Sequence, residues 1–159
     1  MTAIEFQTHD HSGCIASALS RAEAHCAREK LQFTAIRRRV LEILLQDHRA
    51  LGAYDILGTL SAEGLGAKPP TAYRALDFLV KHGLAHRIER LNAYTACARP
   101  DRDHVPAFLI CRACGAVAEA ETELTQGRLG QAAEGSGFTI EQVVVEAEGL
   151  CPACTGGDT

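Results

Sequence analysis

A chain of 159 residues has room for one or two small domains, and 47% apolar with 23% charged residues is the composition of a folded protein, not a disordered one. No apolar run approaches the length of a membrane span, and MTAIEFQTHDHSGC lacks the basic start and apolar core of a secretory signal, so a cytoplasmic protein is expected. The net charge of −4 is unevenly spread: residues 1–90 hold 12 basic and 10 acidic side chains (+2), residues 91–159 hold 4 and 10 (−6). A basic share confined to the first part is compatible with nucleic acid on one side and something else on the other.

Residues 1–14 are polar and read as a flexible tail. From Ile15 to Leu31, apolar residues at Ile15, Leu19, Ala22 and Cys26 recur at helical spacing. Thr34 is a good N-cap for a second helix whose apolar face is Ile36, Val40, Ile43 and Leu44. A third covers roughly Ala53 to Ala62 and carries Ile56, Leu57 and Leu60, and a glycine-rich stretch follows. A fourth opens at Pro69–Pro70, because proline is tolerated in a first turn, and closes near Gly83. Its apolar face is Ala72, Leu76, Leu79 and Val80; Thr71, Arg74, Asp77 and Lys81 point the other way.

LAHRIE and AYTAC then read as two short strands turning near Arg90, Leu91 and Asn92. Three helices followed by a β-hairpin is the layout of a winged helix-turn-helix, whose last helix enters the DNA major groove. The charged segment ARPDRDHVP marks a linker. Beyond it, AFLIC and GAVAEAE read as strands, residues 122–135 as a helix and FTIEQVVVEAEGLC as a longer strand. The expected organisation is α+β: a tail at 1–14, a winged helix at 15–98, a hinge at 99–106 and a small α/β unit at 107–159. That last unit is small enough to need a metal or a second subunit.

Seven cysteines are an odd number for a disulfide framework and point, in a reducing compartment, to metal or redox chemistry. Cys111-x-x-Cys114 and Cys151-x-x-Cys154 supply four thiolates, the complement of a closed structural zinc site. Such a site leaves no position for a substrate. His86, Cys97, His104 and Glu119 are also ligand types, but their spacing alone does not bring them together. His9, His11 and Cys14 are ligand types in the tail, where incidental placement explains them better than an additional metal site does. Cys26 falls on an apolar stripe and reads as a small core residue. With no HExxH helix, nothing in the sequence marks a zinc hydrolase, and no enzymatic activity is expected.

The run AKPPTAYRALDFLVKHGLAHRIE, followed by FLICRACGAV and EGLCPAC, resembles the ferric uptake regulator superfamily and within it the zinc uptake regulator branch. The likeness runs from about Ala22 to Cys154. It implies a zinc-responsive transcriptional repressor that binds inverted-repeat operator DNA as a homodimer and controls zinc-uptake genes. It implies two Zn2+ per monomer: a structural one on the four knuckle cysteines, and a regulatory one held by His86, Cys97, His104 and Glu119. It also implies base contacts from Tyr54 and Arg74, with Thr71 and Tyr73 nearby. No membrane and no small-molecule substrate are expected. The alternative is the same scaffold sensing iron or peroxide. Against iron, the linker reads Asp101-Arg102-Asp103-His104 where iron-sensing relatives carry a His-rich motif, and a thiolate among the four donors favours zinc.

Overall fold

In the computed structural model, residue 6 and residues 11–65, 68–100, 104–122 and 127–156 are described. The chain divides into two compact units, residues 7–102 and residues 103–159, with Phe6 grouped in the second. The fold class is α+β, as expected.

The first unit contains α1 (His11–Arg28), α2 (Ala35–Leu45), α3 (Ala53–Ala62), α4 (Pro69–Lys81), β1 (Ala85–Ile88) and β2 (Ala93–Ala96). Its core is the set of inward faces the spacing requires: Leu19, Ala22 and Cys26 from α1, Val40, Ile43 and Leu44 from α2, Ile56 and Leu60 from α3, Leu76 and Leu79 from α4. The Thr34 hydroxyl caps α2 by accepting from the Arg37 amide at 3.4 Å. Asp55 caps α3 from within, its carboxylate accepting from the Gly52 amide at 3.1 Å. Past the end of α4, Gly83 adopts a φ of +69°, and Leu84 N donates back to Leu79 O at 2.8 Å, closing the helix sharply before β1.

Two expectations for this unit need correction. The helix begins at His11, so residues 11–14 are not tail and exposed Cys14 is helical; His9 lies outside the described residues. A stripe starting at Ile15 needs a preceding turn to start its hydrogen-bond ladder, and residues 11–14 supply it. Val80 is 37% exposed, and Ala75 takes the place assigned to it among the buried residues of α4. On a helical projection Val80 lies about 90° from the centre of the arc formed by Ala72, Ala75, Leu76 and Leu79.

The second unit contains β3 (Pro106–Cys111), β4 (Val117–Glu121), α5 (Arg128–Ser136), β5 (Val145–Gly149) and α6 (Pro152–Thr155). The sheet order is β4-β3-β5, antiparallel between β3 and β4 and parallel between β3 and β5. The long strand read from FTIEQVVVEAEGLC is therefore only five residues. The β3–β5 register starts at Ala107↔Val145, and Pro106, just before it, has no N–H to extend the ladder. The helix read at 122–135 spans Arg128–Ser136. Among the described residues, no helix is long and apolar enough to cross a membrane.

Candidate metal centres and nucleic-acid interface

The parallel pairing of β3 with β5 explains how two knuckles so distant in sequence meet. It aligns Cys111 with Gly149, which leaves Cys151 just beyond the end of the sheet on the same side of the chain reversal. The first knuckle is the β3–β4 turn, held by Cys111 N donating to Ala116 O at 2.8 Å and Gly115 N to Cys111 O at 2.9 Å. Gly115 has a φ of +74°, a conformation L side chains resist. The second knuckle is the first turn of α6, which Cys151 caps and Pro152 opens.

The four cysteines that spacing singled out come together. One sulfur of each cysteine lies within 4.8 Å of the other three. Cys114 Sγ is 3.7 Å from Cys151 Sγ. A tetrahedral ion with bonds of about 2.3 Å sets its sulfurs about 3.8 Å apart, so the donor set fits zinc in chemistry and in spacing. The Cys151 amide donates to Cys111 Sγ at 3.3 Å. Backbone N–H groups of Cys114 and Cys151 aimed at that sulfur lower its pKa to about 6, so Cys111 is prepared as a thiolate. Cys154, sharing protons with the thiols of Cys151 and Cys114, is pushed up to about 12. Four thiols cannot all ionise against one another without a cation among them.

The other four candidate ligands fall as two pairs, one in each unit. In the first unit, His86 stands on β1 and Cys97 directly follows β2. Cys97 N donates to Leu84 O at 3.0 Å, which closes the base of the hairpin. A ring nitrogen of His86 and Cys97 Sγ lie within 4.8 Å of each other, and the sulfur accepts from Arg99 N at 3.4 Å. In the second unit, His104 Nε2 and Glu119 Oε1 are 2.6 Å apart, with both side chains more than nine-tenths buried. A buried carboxylate is costly unless something cationic or protic answers it, so this pair is a built feature.

The DNA-contact candidates lie on the first unit's surface. Tyr54, in the first turn of α3, is 72% exposed, so it does not pack between helices. Tyr73 is 41% exposed and Arg74 is exposed beside it, while Thr71 is half-buried in the first turn of α4. The arginines of α2 are otherwise engaged. Arg39 forks onto Glu63 at 2.8 and 2.5 Å, Arg38 pairs with Glu23 and Glu42, and Arg37 lies 3.8 Å over the Phe78 ring. Sequence reasoning did not find the bridge between Leu51 and Tyr94, which adds a third backbone segment beside the hairpin. A single bridged residue leaves no periodicity to read.

A family model described as the ferric uptake regulator family matches residues 28–148. The chain belongs to the ferric uptake regulator family. It is 40% identical over 137 residues to the zinc uptake regulation protein of Escherichia coli (strain K12), covering 86% of this chain and 80% of that one. A solved zinc uptake regulator complexed with zinc and DNA is similar at a TM-score of 0.84 and 39% identity, over 89% of this chain and 95% of that one. A holo form of XcZur is similar at 0.80 and 33%, over 89% and 99%. The α4 run KPPTAYRALDFL and the first CxxC knuckle, Cys111 and Cys114, lie within the matched residues.

Proposed function

We propose that this member of the family is a zinc-responsive transcriptional repressor, binding inverted-repeat operator DNA as a zinc-loaded homodimer and controlling zinc-uptake genes. The observation that carries the reading is the set of donors: a closed four-cysteine group, and one thiolate-containing pair and one carboxylate-containing pair on opposite sides of the hinge. The names of its 33–40% identical relatives point the same way.

In this reading Cys111, Cys114, Cys151 and Cys154 hold a structural zinc that completes the second unit. His86, Cys97, His104 and Glu119 hold the regulatory one. Zinc supplies a tetrahedral centre able to bind four donors at once. The protein's part is to divide those donors between two units, so that satisfying all four restricts the hinge. His86 and Cys97 lie at the base of the hairpin, and Tyr94 of that hairpin is bonded to Leu51, two residues before α3 and its Tyr54. Restricting the hinge thus orients the wing and Tyr54 together with α4. A dimer must match two half-sites, and only one spacing of its two heads does so.

Arg74 has the reach and fork to pair with guanine, and Tyr54 the flat ring to meet a thymine methyl, with Thr71 and Tyr73 beside them. Leu129, Phe138, Val144 and Leu150 of the second unit are 42–67% exposed, and in this reading a second copy covers apolar side chains of this unit. The protein acts by binding and not by catalysis, in the cytoplasm, where its operator is. Metal counting tests the reading directly. Wild type should hold two zinc ions per monomer and Cys97→Ala one, with an unchanged fold. A Cys97→Ala protein that holds two and still binds the operator in a zinc-dependent way would refute the assignment.

A further inference from the structure

The tip of the hairpin is built around Asn92. Its N–H donates to Glu89 O at 3.2 Å, and its φ of +46° lies in the left-handed region that asparagine tolerates better than most residues. From there Asn92 Oδ1 accepts a hydrogen bond from Arg87 Nη2 at 2.9 Å. Glu89 Oε2 stands farther away, 3.7 Å from Arg87 Nε. An exposed arginine ordinarily samples many rotamers, and fixing one on binding has an entropic cost. Here a neighbour has already fixed it.

The position of that guanidinium gives its pre-orientation a purpose. Arg87 pairs across the hairpin with Tyr94. Its strand, β1, follows α4 directly after the Gly83 turn and packs against it, so exposed Arg87 stands on the hairpin beside the helix that offers Arg74. The other cations near α4, on α2, are taken up by Glu63, Glu42, Glu23 and the Phe78 ring. A bidentate donor held on the flank of a base-reading helix is suited to the chain of phosphates beside the bases it reads.

We infer that Arg87 clamps a backbone phosphate of the operator beside the bases approached by α4, and that Asn92 is the residue that positions it. This rests on the DNA-binding reading above. The guanidinium carries the charge-dependent affinity, and Asn92 supplies no charge, only orientation.

The test is the salt dependence of operator affinity for the zinc-loaded protein, followed by fluorescence anisotropy. Each phosphate neutralised contributes about 0.9 to the slope of log K against log salt, so losing one contact from each wing of a dimer lowers the slope by about 1.8. Arg87→Ala should show that loss, and Arg87→Lys, which keeps the charge, should keep the slope. Asn92→Gly accepts the left-handed backbone but has no acceptor; it should bind roughly threefold more weakly with the wild-type slope and melting temperature. An Arg87→Ala protein with the wild-type slope overturns the clamp, and an Asn92→Gly protein with wild-type affinity overturns the positioning role. If the wild-type protein itself binds no operator in the presence of zinc, the DNA reading fails and takes this inference with it.

Discussion

Leu51 and Tyr94 exchange both of their backbone hydrogen bonds, at 2.9 and 2.8 Å. The strand that ends beside Cys97 is thereby fastened to the segment that launches α3 and Tyr54. A proposed metal ligand and a base-reading candidate thus share one short piece of hydrogen-bonded backbone. Zinc held through His86 and Cys97 should slow amide exchange at Leu51 and Tyr94 more than at core amides of α2, a difference hydrogen-exchange measurements with and without zinc can read.

Tyr54 is mostly in solvent, so its loss should affect recognition and spare the fold. Tyr54→Ala should melt within about 0.5 kcal/mol of wild type, because exposed side chains away from caps and cores contribute little. Its operator affinity should fall about tenfold or more, an interaction of at least ~1.4 kcal/mol, measured by gel shift at fixed zinc.

The four-cysteine group predicts the opposite pattern. Cys151→Ser removes a proposed ligand from a small unit whose sheet, among the described residues, has three strands. The second unit should lose several kcal/mol and its cooperative melting, because the free energy of a structural metal is folding free energy. The first unit, with its separate core, should keep its own transition in calorimetry. Strong chelation of the wild-type protein should reproduce the loss.

In the first unit, Leu76 and Leu79 have no exposed surface and meet Val40, Ile56 and Leu60 in one cluster. Leu76→Ala should cost about 2–5 kcal/mol, through lost transfer energy and an unfilled cavity. Denaturant midpoints would show it.

His82, at the C-cap of α4, predicts a mild acid sensitivity. Burial, then the charges of Lys81, His25 and Arg37, hold its pKa below the ordinary 6.5, although Glu29 opposes the shift. The unfolded chain takes up that proton more readily, so this contribution to stability is complete above pH 6.5 and is lost as pH falls through the lower folded value. His82→Gln should flatten the acid side of the stability profile of the metal-free protein between pH 7 and 5.

The sequence made the helices and both knuckles legible because those features are periodic or closely spaced. Thr34, Pro69 and Gly83 mark their helix boundaries by chemistry that needs no tertiary context. The N-terminal extent of α1 escaped because His11, Ser12 and Gly13 carry no apolar signal. The extent of β5 escaped because Phe138, Ile140, Val143 and Val144 look strand-like, whereas the strand exists only where β3 is available to pair. The return of Cys151 to Cys111 was legible as chemistry but not as geometry, since parallel pairing is a non-local fact. The His86–Cys97 and His104–Glu119 pairs were invisible to spacing. Only the family resemblance joined them.

The central claim is that DNA binding switches on with the zinc held by His86, Cys97, His104 and Glu119, and not with the four-cysteine zinc. The most direct measurement is operator binding against zinc bound per monomer, using an inverted-repeat duplex from upstream of a zinc-uptake gene, with iron and manganese as controls. Binding should be weak with one zinc per monomer and rise steeply as the second is taken up, with no such rise from iron or manganese. Equal binding at one and two zinc ions per monomer would contradict the account, leaving the winged helix in place without its proposed signal.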